Sequence, residues 1–151
     1  MKTIIISPFS RPLRNGGVNP KNNPYWPELI ELLRKEGYRT IQVGTGNEMH
    51  LPADEVKFDP SLSELEALLK STDLWISVDN FFGHFAAYHK KPGIVLWGQS
   101  DPLIFGYPTN HNLLKSRMYL RQDQHGIWEA AKCIDVAFVS PNRVLAEVQK
   151  F

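Results

Sequence analysis

Between Leu74 and Gly98 the chain passes through a short apolar stretch, a polar pair, a helical pattern and a second apolar stretch, and this order restricts the fold more than anything else in it. Leu74 to Val78 is largely apolar and too brief for a helix, as expected of a strand covered on both faces. Asp79 and Asn80 sit where a helix N-cap belongs, because their side-chain oxygens accept the unpaired N–H groups of the turn that follows. Phe82, Phe85 and Ala86 repeat at helical spacing, Pro92 and Gly93 end the helix, and Ile94 to Trp97 is the next strand. Strand, helix and strand with short joints make a βαβ unit, whose crossover is nearly always right-handed. Polar residues at the carboxyl end of a parallel strand, facing a helix N-terminus, suit a phosphate or a hydroxyl-rich ligand.

The rest of the chain continues the alternation. Thr3 to Ile6 reads as a first strand that empties into residues 7–24, a long loop with four prolines. Loops of that length inside a domain are usually functional. This one carries Ser7, Ser10, Arg11, Arg14 and Lys21, a set suited to phosphate oxygens; the alternative is a solvated loop with scattered charges. Trp26 to Gly37 reads as a helix, with Pro27 in its first turn and Gly37 as its C-terminal cap. Arg39 to Gly44 is the second strand, followed by the turn Gly44-Thr45-Gly46-Asn47-Glu48. It lacks the third glycine and the helix of a dinucleotide fingerprint. Its glycines let a ligand approach the backbone, and Glu48 can accept from ribose hydroxyls; an ordinary surface turn is the alternative.

Val56 to Phe58 is a third strand, and Ser61 with Glu64 forms a capping box opening a helix whose Leu62, Leu65, Leu68 and Leu69 face one way. Beyond Gly98, residues 99–108 read as a turn-rich loop, Met118 to Leu120 as a short strand and Ile127 to Val136 as a weakly patterned helix. Ser140-Pro141 starts a last helix with Val144, Leu145 and Val148 on its apolar face. The alternation implies an α/β fold, a single doubly wound parallel sheet with helices on both faces. The loops after the first, second, fourth and fifth strands all leave from carboxyl ends, which share one edge, so they converge on one crevice.

A chain of 151 residues with 42% hydrophobic and 22% charged residues fits one soluble domain spanning 1–151. A net charge of +1 gives no basic face for nucleic acid. No apolar run reaches the ~20 residues of a membrane span, and Met1 to Ile6 meets Ser7-Pro8 too soon for a signal peptide. The lone Cys133 excludes an internal disulfide framework and fits a reducing cytoplasm. There is no Cys/His cluster at zinc spacing, and no cofactor is called for. Trp26, Trp75, Trp97 and Trp128 are core or interface residues, with Trp75 and Trp97 assigned to the core because they lie in apolar strands.

Val78-Asp79-Asn80-Phe81-Phe82-Gly83-His84-Phe85-Ala86-Ala87, followed by Lys91-Pro92-Gly93-Ile94-Val95-Leu96-Trp97-Gly98-Gln99-Ser100-Asp101-Pro102, resembles the C-terminal half of a heptosyltransferase-type (family 9) glycosyltransferase. Asp79, His84, Pro92, Gly98, Ser100, Asp101 and Pro102 fall in register with that family's motifs. The likeness extends more weakly to Ile4 through Pro8, Trp26-Pro27, Gly44 through Glu48 and the Ser140-Pro141 helix. It implies the Rossmann-like donor domain of a GT-B enzyme, binding a nucleotide-diphospho-sugar such as ADP-heptose. By position, Asp79 would hold sugar hydroxyls and serve with His84 as a catalytic candidate. Asn80 and the backbone of Phe81 and Phe82 would meet the pyrophosphate, Glu48 the ribose, and Ser7 and Ser10 the phosphate side. Gly44 and Thr45 would line the same site. His84 would help position the donor, or is simply a helix histidine bonded to a nearby loop.

Three departures from the family pattern stand out. Phe81 replaces a glycine, and Pro24 replaces a lysine two residues before Trp26-Pro27, a charge that Lys21, Arg11 or Arg14 could supply. The chain also starts directly in the donor half, so a homodimer partner or a separate acceptor-binding subunit would complete an enzyme. The resemblance thus implies a glycosyltransferase. A non-catalytic nucleotide or nucleotide-sugar binding module, or the donor-binding subunit of a split enzyme, is the alternative. A flavodoxin-like or deoxyribosyltransferase-like domain rests on sheet topology alone.

Overall fold

Six parallel strands in the order β3-β2-β1-β4-β5-β6 form one sheet in the computed structural model, which describes residues 1–151. They are β1 (Thr3–Ser7), β2 (Arg39–Gly44), β3 (Glu55–Phe58), β4 (Leu74–Val78), β5 (Ile94–Trp97) and β6 (His111–Leu114). The helices are α1 (Trp26–Lys35), α2 (Leu62–Ser71), α3 (Phe81–Tyr88), the single turn α4 (Pro102–Phe105) and α5 (Pro141–Val148). The doubly wound parallel sheet expected from the sequence is the one observed.

Alternation along the strands divides the core in two. Ile4, Ile6, Leu74, Ile76, Val78, Ile94 and Leu96 point to one face, where Trp26, Leu29, Ile30 and Leu33 of α1 and Val144 and Val148 of α5 cover them. Ile5, Trp75, Val95 and Trp97 point to the other, against Leu65 and Leu69 of α2 and Phe82, Phe85 and Ala86 of α3. Gly37 turns the chain out of α1 at φ +85°, a conformation that glycine adopts without a Cβ penalty. Ser61 and Glu64 form the expected capping box. Leu62, by contrast, is exposed and Leu68 only half-buried, so the inward face of α2 is narrower than the leucine spacing implies.

Between Gly98 and Ser140 the structure corrects the sequence reading. The sixth strand is His111–Leu114, and Met118 lies in a 3₁₀ turn (Arg117–Tyr119) rather than a strand. The helix expected over Ile127–Val136 is absent, and two 3₁₀ turns, Trp128–Ala130 and Asp135–Ala137, take its place. The loop after β5 contains α4, opened by Asp101, whose carboxylate accepts from Leu103 N at 2.9 Å. No helix is long and apolar enough to cross a membrane.

Candidate functional site

β1 is followed in the chain by a strand on one side and, after β3, by a strand on the other, so the sheet reverses its winding between β1 and β4. A crevice opens outside the carboxyl ends of strands at such a point. Here it is a cleft of about 800 Å³. Ser7, Ser10, Arg11 and Lys21 line it from the long loop, Gly44, Thr45 and Glu48 from the turn after β2, and Asp79, Asn80, Phe81 and Phe82 from the β4–α3 junction. The loops after β1, β2 and β4 converge as expected, but the loop after β5 does not reach the cleft, because Asp101 and Gln99 turn it toward Arg117, Gln124 and Lys132 instead. His84 does not line the cleft: its Nδ1 lies 2.8 Å from Tyr107 Oη, on the far side of α3 toward α4. Of the two readings open for it, the geometry matches a helix histidine bonded to a nearby loop.

Side-chain amides hold the long loop in place. Asn80 caps α3, its Oδ1 accepting from Phe82 N at 2.9 Å, while its Nδ2 donates to Ser7 O, Ser7 Oγ and Phe9 O at 3.0–3.2 Å. Ser10 Oγ donates to Asp79 O, and Ser10 N to Asn22 Oδ1. Asn19 Nδ2 donates to Arg11 O, and Lys21 N to Asn19 Oδ1. Ser10, Asn19 and Asn23 are buried. Buried polar groups need partners, and these find them in the backbone of Asp79, Arg11, Lys21 and Tyr25, so the loop is an ordered wall.

Lys21 Nζ pairs with Asp79 Oδ2 at 3.1 Å, with both side chains largely covered. The cations of the cleft, Arg11, Arg14 and Lys21, all come from this loop, whereas its carboxylates (Glu48, Asp59, Asp79 and Glu129) come from other segments. One wall therefore suits anionic oxygens and the ends suit hydroxyl donors.

The turn after β2 is pinned from beneath. Gln42, fully buried in β2, donates from Nε2 to Met49 O and accepts from Leu51 N. Glu48 folds back over Gly44, where an added Cβ would lie 1.9 Å from Glu48 Oε2. Glycine at position 44 thus makes room for this carboxylate. Its Oε2 is buried without a partner, while Oε1 lies 3.4 Å from the Thr45 hydroxyl. Burial pushes the Glu48 carboxyl above the usual glutamate range, and Asp59 adds to the effect while Thr45 opposes it.

Sequence reasoning missed the fourth wall, Ile127, Trp128 and Glu129. The motif residues after β5 hold it. Asp101 forms a bidentate pair with Arg117 at 2.7 and 3.1 Å, which holds its carboxyl below the ordinary range. Asp101 N donates to Gln124, and Gln124 in turn donates to Gln99 O. Gln99 Nε2 reaches Lys132 O at 2.7 Å. Arg121 donates to the carbonyls of Gly126 and Ile127 and lies 4.1 Å over the Trp128 ring. Glu129 accepts from Arg14 N, closing the wall against the long loop. The only sequence signal is a half-apolar segment with a tryptophan, whose weak pattern reads as helical.

Fold and cleft together define a Rossmann-like domain with a ligand crevice at the switch point of its sheet. The sequence model of glycosyltransferase family 9 (heptosyltransferase) matches residues 21–126, and the chain belongs to that family. A search of curated proteins finds no match. Among solved structures, 99% of the chain aligns with E. coli ADP-heptose LPS heptosyltransferase II (19% identity, TM-score 0.69), covering 46% of it. The same share aligns with E. coli heptosyltransferase WaaC with ADP (18%, 0.65), covering 43% of it. Heptosyltransferase TibC of enterotoxigenic E. coli, in complex with ADP-D-β-D-heptose, aligns likewise (18%, 0.70), with 44% of it covered. These likenesses establish the fold as that of a GT-B C-terminal domain, and the chain spans less than half the length of each of these structures.

Proposed function

We propose that this chain binds a nucleotide-diphospho-sugar, ADP-heptose-like, in the cleft and takes part in transferring the sugar to an acceptor, in the cytoplasm. The observation that carries the reading is the gathering of three separate chain turns at one crevice. It combines a cationic wall, a helix N-terminus and three carboxylates that follow different strand ends, Glu48, Asp59 and Asp79. The crystallised relatives named with ADP or ADP-heptose are similar in fold and support the choice of donor. In this reading Glu48 and Thr45 take the ribose, as usual for an acidic residue at the second strand end. Ser7, Ser10, Arg11, Lys21, Asn80 and the first turn of α3 at Phe81 and Phe82 surround the diphosphate, and Asp79 takes sugar hydroxyls. Cations placed where the departing diphosphate gathers charge would lower the barrier to transfer.

A second reading, a module that holds the donor without turning it over, is favoured by one observation. Asp79 is ion-paired to Lys21 and His84 is engaged outside the cleft, so neither stands ready as a general base. Calorimetry with ADP-, UDP-, GDP- and CDP-sugars, paired with an assay for released nucleotide diphosphate, decides between them. Saturable binding with no release under any acceptor would leave the module reading. Asp79→Ala is expected to weaken sugar-nucleotide binding by about tenfold, the loss of one charged hydrogen bond, with affinity for the bare nucleotide diphosphate nearly unchanged. Equal loss of both would show the role of Asp79 to be misassigned.

A further inference from the structure

Trp128 lies two residues beyond the segment that matches the family model, yet it forms part of the cleft. Its ring is fixed. Arg121 lies 4.1 Å over it and binds the carbonyls of Gly126 and Ile127, while Trp128 O accepts from Ala131 N and the neighbouring Glu129 accepts from Arg14 N. An indole stacked by a guanidinium and tied into a turn presents a rigid apolar surface at little cost in side-chain entropy.

Lys21 shows which end of the cleft this surface serves. Its ammonium is 3.1 Å from Asp79 Oδ2 and 5.3 Å from the centre of the Trp128 ring. The carboxylate and the indole are therefore neighbours across a single ammonium group, at the end of the cleft marked by β4. Glu48 and Thr45 belong to the turn after β2, on the other side of β1. A carboxylate beside an aromatic plane meets both chemistries of a sugar ring, the carboxylate accepting from hydroxyls and the plane covering the C–H face.

Resting on the donor reading above, we propose that Trp128 is the sugar-contacting wall of the cleft, opposite Asp79, and that it sets preference for the sugar rather than for the nucleotide. Lys21 Nζ approaches both groups, so a donor seated beside them meets the carboxylate, the ammonium and the ring together.

The other three tryptophans, Trp26, Trp75 and Trp97, are at most 3% exposed, so collisional quenching by acrylamide reports on Trp128. ADP alone is expected to leave quenching nearly unchanged, whereas ADP-heptose or ADP-glucose protects the ring. Trp128→Ala should weaken ADP-sugar binding by about tenfold or more while ADP affinity stays within about twofold, less than 0.5 kcal/mol. Trp128→Phe, which keeps a ring, should recover most of the loss; Trp128→Leu, which keeps bulk without one, should not. If ADP-sugars bind with no protection, or Trp128→Ala weakens ADP and ADP-sugars alike, the inference is overturned and the donor reading stands. If no nucleotide sugar binds the wild-type protein, both are overturned together.

Discussion

Glu48 couples ligand binding to protons. Its carboxyl is raised above the ordinary value of 4.5, first by burial and then by Asp59. Ribose hydroxyls donating to it would favour the ionised form, so a ligand that uses Glu48 expels a proton on binding. Affinity for ADP is then expected to climb as pH rises through the window just above 4.5 and to level off once the carboxylate is ionised. The empty protein loses a little stability over the same window, because a raised native pKa favours the protonated fold. Calorimetry in two buffers of different ionisation enthalpy measures the released proton, and Glu48→Gln should remove both the release and the slope. A flat profile in the wild type would separate Glu48 from the ligand.

The β4–α3 junction does its work through one side chain, since Asn80 both caps the helix and ties down the loop after β1. Asn80→Ala is expected to cost about 2 kcal/mol, a lost cap plus unpaired carbonyls, read as a lower urea midpoint. Asn80→Asp keeps the capping oxygen but not the Nδ2 donors, so it should recover only the helix part of that loss and leave ADP binding weak. Much of this was legible beforehand. Val78 to Ala87 carries strand, cap and helix signals in one short run, and the turns at Ser7 and Gly44 announce themselves by glycine, proline and short polar residues. What lay hidden depends on distant partners. His111 to Leu114 has no alternation because its last two residues are covered on opposite faces, Leu113 in one half of the core and Leu114 against the other. Ile127 and Trp128 break helical spacing because they face a cleft rather than a core. The Asp101-Pro102 motif, prominent in the sequence, holds the Arg117–Lys132 segment instead of lining the cleft. Lys91, beside Pro92, donates from Nζ to Leu69 O and Thr72 O, closing the C-terminus of α2, and burial lowers its pKa.

Far from the cleft, α5 is locked to β6 through a buried carboxylate. Glu147 accepts from Arg143 at 2.8 Å and His111 at 2.5 Å and pairs with Lys150 at 3.1 Å, which together hold its pKa at about 2. Its native pKa lies below its unfolded one, so the stabilisation is complete above about pH 4.5 and is lost as pH falls toward 2. After screening by solvent around the exposed cations the contribution is about 2 kcal/mol. Glu147→Gln should lower the urea midpoint at pH 7 and flatten its acid limb, with ADP affinity at pH 7 unchanged. The order of the sheet carries a different consequence. β1 sits between β2 and β4, with Ile5 opposite Ile41 on one side and Trp75 on the other. A ribosome therefore releases the central strand first and its second neighbour some seventy residues later. Until then Ile4 to Ile6 offers an open hydrogen-bonding edge to any other nascent chain, a hazard met by slow, non-local pairing.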